Sequence, residues 1–415
     1  MILAATAAIA SAVPPDVYNE SDVPAYTLPD VLVCADGSKV TTAAEWTGKR
    51  RAEVFSLIER EMFGKAPARP AVVSKVDEDW TPAPGGKVKR KQVSISLNGK
   101  ADGPAMDMLL YVPADAKGPV PVVFGLNFQG NQGTSKDPGI HLCRSWLREN
   151  KKDGIVNNKA TEDSRGCEEG RWQIEYAASR GYGVATICYC DIDPDFDDGW
   201  KNGVHALFPE IEAKRDATTW GSIAAWAWGM SLGMDYLEKE PAVDAKRVVA
   251  QGHSRLGKTA LWAGACDSRF AVVISNDSGA GGAALNKRIF GETVGRLNGA
   301  FPHWFCGNFK KYSEKEADMT FDSHEIIALI APRPVLINSA TEDRWADPKG
   351  EFLGGLNAEP VYKLFGKEGL GTTQQPGPDK LTGGSIGYFL RSGGHDVTRA
   401  DWGAYLDFAD RHMKQ

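Results

Sequence analysis

Short apolar runs, spaced by longer amphipathic stretches, set the rhythm of this chain. Pro121-Val122-Val123-Phe124-Gly125-Leu126, Gly183 to Tyr189, Val248-Val249-Ala250, Phe270 to Ile274, Pro334 to Asn338 and Ile386 to Leu390 are compact apolar runs, the pattern of strands buried on both faces. Helical stretches lie between them: Ile174 to Arg180, Trp220 to Lys239, Lys258 to Ala265 and a closing helix from Trp402 to His412. Residues 70–79, 88–98 and 104–112 alternate polar and apolar and are split by Pro-Gly-Gly and Asn-Gly turns, which predicts antiparallel strands. Earlier still, Val31 to Cys34 reads as a short strand turning at Asp36-Gly37. Thr42-Ala43-Ala44-Glu45 fits a capping box. The helix behind it runs to Phe63, with Val54, Ile58 and Met62 on one stripe and Gly64 as its stop. Strands alternating with helices predict an α/β fold: a doubly wound, mostly parallel sheet with helices on both faces, behind an antiparallel N-terminal part.

Residues 132–172 are polar and Gly-rich, and 279–325 separate two core strands; both read as insertions beside a cleft. Residues 13–415 are taken as one catalytic domain. Residues 1–12 are apolar and Ala-rich with Ala10-Ser11-Ala12 as a cleavage site, so they read as the remnant of an export signal, though a basic leader is missing. A secreted or periplasmic monomer is expected.

Composition removes several classes. The 415 residues can bury a large core, and a net charge of −6 offers nothing to nucleic acid or an anionic membrane. No apolar run approaches the ~20 residues of a membrane span. The basic cluster Lys87 to Lys91 reads as a solvated strand face. The seven cysteines show no C-x-x-C and no zinc spacing; at most one or two disulfides are expected, and the odd count leaves at least one thiol free. Asp191 to Gly199 invites a calcium reading but misses the EF-hand pattern, lacking both its glycine and its final glutamate. A structured loop near the cleft is expected there, and neither a metal nor a cofactor is called for.

The chemistry gathers at 247–262. Val248 to Ala250 leads into Gly252-His253-Ser254-Arg255-Leu256-Gly257 and then a helix, the strand, turn and helix of a nucleophile elbow. Such a turn lifts a serine hydroxyl above the sheet, with a helix N-terminus behind it to favour developing negative charge. Gly252 and Gly257-Lys258-Thr259 also satisfy the phosphate-loop pattern, and Ala271 to Ile274 followed by Asp277 could pass as a nucleotide hydrolase's acidic strand.

The rest of the chain separates these readings. A serine nucleophile needs a base and the base an orienting acid, in the chain order Ser, acid, His. His395, in Gly393-Gly394-His395-Asp396, stands between the last strand and the last helix, where the base belongs. Two acids compete. Asp343 follows the strand after next and holds the usual acid position; Asp277 ends the next strand and ranks second. Phosphate loops usually follow the first strand of their domain, whereas several strands precede this one, so the serine-hydrolase reading leads.

Gly252-x-Ser254-Arg255-x-Gly257-Lys258, Asn276 to Gly282, Phe301-Pro302-His303-Trp304-Phe305, Asp343-Arg344-Trp345-Ala346-Asp347-Pro348 and Gly394-His395 together resemble the bacterial glucuronoyl esterases, carbohydrate esterase family 15, over nearly the whole chain. The resemblance implies an α/β-hydrolase that cleaves esters between the (4-O-methyl-)glucuronic acid of glucuronoxylan and lignin alcohols. It implies that Ser254 attacks, His395 moves the proton, Arg255 holds the oxyanion, and Lys258, Glu292 and Trp345 meet the sugar. A cation at Lys258, in a first helical turn, is electrostatically disfavoured, which itself suggests use. Many family members carry Cys before the nucleophile, bridged to Cys beside the histidine; here those positions are His253 and Asp396. The family acid after the nucleophile's next strand is often Glu. Asp277 is one methylene shorter, which favours Asp343. An acetyl or feruloyl esterase on plant polysaccharide is the alternative, with a non-catalytic carbohydrate-binding relative and a nucleotide hydrolase further off.

Overall fold

The structure is a computed structural model that describes residues 17–413, so the export-signal remnant expected at 1–12 lies outside the described residues. Its strands are β1 (Ser74–Pro82), β2 (Val88–Ser96), β3 (Ala105–Pro113), β4 (Val120–Asn127), the small hairpin β5 (Ile155–Val156) and β6 (Lys159–Ala160), β7 (Gly183–Cys188), β8 (Val243–His253), β9 (Val272–Asn276), β10 (Val335–Ala340), β11 (Thr382–Gly383) and β12 (Ile386–Arg391). All but the hairpin join one sheet in the order β1-β2-β3-β7-β4-β8-β9-β10-β12-β11. β1, β2, β3 and β7 pair antiparallel, β7 through β12 pair parallel, and β11 closes the edge antiparallel. This is the expected sheet, with its antiparallel N-terminal part.

The period of two in the strands sorts side chains to two cores. Val248 and Ala250 of β8 face one side, with helices Ser222–Leu237, Arg255–Cys266 and Pro348–Leu364; Val249 faces the other, with helices Ile174–Ser179 and Arg399–Met413. Helix Ser222–Leu237 is buried all round except at Asp235, which Arg69 and Arg269 answer with ion pairs at 3.1 and 2.7 Å. Helices with apolar residues on every side belong inside.

Several local readings change. The apolar run at 248–250 is only the middle of an 11-residue strand. Val31 to Cys34 forms a single bridge, Val33 to Lys39, rather than a strand. The Thr42–Glu45 capping box forms, but π-helical turns at Trp46–Arg50 and Glu59–Phe63 interrupt the helix behind it, and Gly64 ends it at φ +80°. The basic cluster is not a solvated face at Arg90 and Lys91. Both are buried in ion pairs, Arg90 with Glu78 and Asp137 and Lys91 with Glu240, because β1 and the loops around 137 and 240 cover them. None of the seven cysteines is paired. Insertion 132–172 is built from short 3-10 turns and the β5–β6 hairpin; 279–325 holds helix Val294–Ala300 and the start of Ser323–Ala328.

The parallel strands all point their C-terminal ends to one edge. β4 delivers Phe128 and Gln129 there, β7 the loop to Asp195, β8 Ser254, β9 Asp277, β10 Asp343 and β12 His395. Ligands of open α/β sheets bind at that edge.

Candidate active site

Ser254 sits at φ +57°, ψ −129°, a conformation that costs a non-glycine residue about 1–3 kcal/mol. It is held by its neighbours: the Ser254 N–H donates to Asn276 O at 2.9 Å, and the N–H groups of Gly257 and Lys258 donate to Ser254 O at 2.8 and 3.2 Å. The flanking glycines are required by contact. A Cβ at Gly252 would lie 1.8 Å from Leu256 O, and one at Gly257 3.0 Å from Asn276 O. The turn is therefore a tight elbow rather than an open cradle for phosphates. The Lys258 ammonium is turned inward, its three protons taken by Ser278 O (2.7 Å), Ala280 O (2.6 Å) and Glu292 Oε2 (2.7 Å). The lysine a phosphate loop would use is therefore spent on the protein.

Ser254, Arg255 and His395 line one cleft of about 220 Å³, together with Phe128, Gln129, Arg148, Glu168, Arg171, Tyr189 and His253. His395 Nδ1 lies 2.5 Å from Asp343 Oδ2, and its ring stays half-exposed. The Ser254 hydroxyl and the imidazole share the cleft; catalytic hydrogen bonds of this kind often close only around substrate. His253 packs beneath His395, ring centroids 4.5 Å apart, and hydrogen-bonds Asn276 Oδ1. Burial, then the neighbouring His395, hold His253 well below the usual imidazole range, so it stays neutral.

The two candidate acids part here. Asp277 and Asp343 both bring a carboxylate oxygen within 4.8 Å of a His395 nitrogen and of each other. Only Asp343 hydrogen-bonds the ring. Asp277 is fully buried with both oxygens unpartnered; Arg391 and His253 stay at 3.8 and 3.9 Å. Burial first, then the charges of Glu351, Asp343 and Asp401, push its carboxyl well above the usual range, so it holds its proton. A second set of metal-type groups, Cys143, Cys188 and Asp191, lies outside the cleft. Contact with Cys188, then burial, hold the Cys143 thiol well up, and burial holds the Cys188 thiol up and moves Asp191 to about 6, so the two thiols are protonated and poor ligands.

Arg255, the first residue of the helix behind Ser254, is clamped by Asp195, whose carboxylate also binds His303 Nε2 (2.9 Å), Trp304 Nε1 (2.8 Å) and the Tyr189 hydroxyl (2.9 Å). The guanidinium lies 4.7 Å from the Trp304 ring and 5.3 Å from Phe301, and its Nε–H has no partner. A fixed, half-buried cation with a spare donor beside a nucleophile suits an oxyanion.

A family profile for fungal glucuronyl esterases matches residues 182–366. Carbohydrate esterase MZ0003, from an unknown prokaryotic organism, is 55% identical over 401 residues, 95% of this chain and 92% of that protein. The chain belongs to the glucuronoyl esterases, carbohydrate esterase family 15. The structure of the glucuronoyl esterase from Solibacter usitatus superimposes with a TM-score of 0.90 at 49% identity, over 95% of this chain and 100% of that one. A 4-O-methyl-glucuronoyl methylesterase of Phanerochaete carnosa is 33% identical over 82% of this chain and 72% of its own length. The fold is accordingly that of an α/β-hydrolase.

In this glucuronoyl esterase Glu292 joins two of the sequence candidates: Oε2 accepts from Lys258 and Oε1 from Trp345 Nε1 at 3.2 Å. Trp345 is 39% exposed, an unusual amount for an indole, and offers a flat apolar face. Lys258 spends its protons on the protein, so its place is to fix Glu292 and the loop 278–280. In the loop after β4, the N–H groups of Gln129 and Phe128 face the carboxyl of Glu168. At the two positions where the family resemblance places a cystine, His253 packs on His395 and Asp396 pairs with Arg171 at 2.7 Å. Sequence reasoning missed Asp195, Glu168 and Arg171. Asp195 carried a signal, a dense acidic run before an aromatic-rich segment; the other two sit in an irregular insertion with no periodicity to place them.

Proposed function

We propose that this esterase hydrolyses the ester between (4-O-methyl-)glucuronic acid of glucuronoxylan and lignin alcohols, acting outside the cytoplasm as a single-domain monomer. Ser254 Oγ attacks the uronate carbonyl while His395 Nε2 accepts its proton. Asp343, bonded to Nδ1, holds the tautomer and stabilises the imidazolium that forms. The Arg255 backbone N–H and the spare Nε–H receive the developing oxyanion, and Asp195 keeps that guanidinium from swinging away. His395 then protonates the departing alcohol, and water repeats the sequence on the acyl-enzyme. Glu292, steadied by Lys258, accepts hydrogen bonds from sugar hydroxyls, and Trp345 packs on the ring.

The observation that carries this reading is the 2.5 Å His395–Asp343 bond in the cleft where the elbow presents Ser254 and Arg255. The test is hydrolysis of benzyl glucuronate against aryl acetates by the wild type and by Ser254→Ala. Glucuronate turnover that dominates and disappears in the variant supports the reading; faster acetate turnover would move the enzyme to the acetyl or feruloyl esterases.

A further inference from the structure

Beyond the cleft around Ser254 the surface opens into a second lobe of about 640 Å³, and the two share Gln129, Glu168 and Arg171 as a common wall. The far wall of this lobe is the chain leaving His395: Asp396, Val397, Thr398 and Arg399. None of Lys258, Glu292 and Trp345 lines either space, so the lobe is separate from the wall assigned to the sugar. It continues instead from the imidazole, the group that hands its proton to the departing oxygen. A leaving alcohol must lie beside that imidazole, and the lobe is the room available for its remainder.

The lining tells what alcohol fits. No aromatic ring faces the lobe; its side chains are mostly polar or charged. Most of these are already satisfied. Arg171 pairs with Glu168 at 3.2 Å and Asp396 at 2.7 Å, Asn150 Nδ2 with Asp153 at 2.5 Å, and Arg399 stacks on Tyr176 at 3.9 Å. Gln129 and Glu168 are the exceptions: Gln129 Oε1 and Glu168 Oε2 have no hydrogen-bond partner. Of the two, only Glu168 is ionisable; it is 7% exposed and lines both spaces. A buried carboxyl oxygen left without a donor is destabilising, and a ligand hydroxyl supplies the missing donor on binding. Burial raises this carboxyl above the usual range, with Arg171 and the backbone N–H groups of Gln129 and Phe128 pulling it back.

Resting on the esterase reading above, we infer that the lobe is the alcohol-side subsite and that Glu168, steadied by Arg171, selects alcohols bearing a second hydroxyl close to the ester oxygen. Glu168 here is a specificity residue: it touches the departing alcohol, and the bond it makes is lost when the alcohol carries no further hydroxyl.

The test pairs two esters that differ only in those hydroxyls, propyl glucuronate and 2,3-dihydroxypropyl glucuronate, with methyl glucuronate as reference. Wild-type kcat/KM should favour the diol ester by about tenfold, the size of one hydrogen bond to a charged group. Glu168→Leu should bring the ratio to about one, and the isosteric Glu168→Gln should keep part of it. A wild type that treats the pair alike, or a Glu168→Leu that keeps the preference, overturns the inference; the wild-type comparison stands even if Glu168→Leu fails to fold. Running the same alcohols as acetates separates the two readings. If glucuronates are not cleaved but acetates are, the acyl assignment falls, and the diol preference measured on acetates decides this inference by itself.

Discussion

Asp195 and Asp277 are sealed from water to the same degree, each with a fully buried side chain, yet their carboxyls behave oppositely. At Asp195, burial pushes upward, but His303, Arg255 and Trp304 win and hold it well below the usual carboxylate range. At Asp277 no donor answers, and burial together with the charges of Glu351, Asp343 and Asp401 holds it well above. Burial alone therefore does not say what an acid in this site does; its partners do. Asp195 works as an anion that anchors a cation. Asp277 works as a neutral group under the catalytic loop. Asp343, almost as buried, has its partner in the His395 ring.

The sharpest way to break this contrast is to remove the charges one at a time. Asp343→Asn should lower kcat on a glucuronate ester by about 10³–10⁴, because the amide favours the wrong imidazole tautomer. If Asp277→Asn costs more, the roles assigned here are reversed. Asp195→Asn should follow, with kcat down about 10–10² as the Arg255 guanidinium loses its anchor at the oxyanion; binding of a sugar product should change little, and steady-state kinetics with product inhibition checks both. Asp277→Asn imitates the protonated carboxyl and should cost less than about tenfold in kcat. Because a raised carboxyl makes the folded state bind the extra proton, the wild type loses stability as pH rises, and this variant should gain relative stability on the alkaline side in thermal melts.

The smallest effect sharpens the same idea away from the chemistry. Glu351 accepts from the Ser278 and Gly279 N–H groups and from Ser339, and burial raises it from 4.5 to about 8. Between those values the folded state holds a proton that the unfolded chain has released, so this group lowers stability as pH climbs through that window. Glu351→Gln should flatten that part of the pH–melting curve, with Ser339 Oγ rotating to accept from the new amide. A curve unchanged in slope would show that the loop after Asp277 is not held in this way.

Much of this was legible beforehand because it lies in regular elements. The apolar runs at 122–126, 248–250 and 334–338 mark strands by their burial, and glycines at 252 and 257 mark a turn in which a Cβ would meet backbone oxygens. The order Ser254, Asp343, His395 followed from strand ends on one sheet edge. The π-helical turns at 46–50 and 59–63 were not legible, since the apolar stripe at 54, 58 and 62 is the same for either winding. Arg90 and Lys91 looked solvated because a basic strand face says nothing about the acids that will cover it.

By itself the sequence determined the parallel sheet, the elbow at Ser254 and the residue types that the reaction needs, because periodicity and tight-turn sterics are local. Three-dimensional packing settled which acid meets His395, that Lys258 turns inward onto Glu292, and that irregular loops bring Glu168 to the cleft and Asp195 to Arg255. Those outcomes depend on contacts between segments far apart in the chain, and on whether a buried charge finds a donor there, which no local pattern encodes.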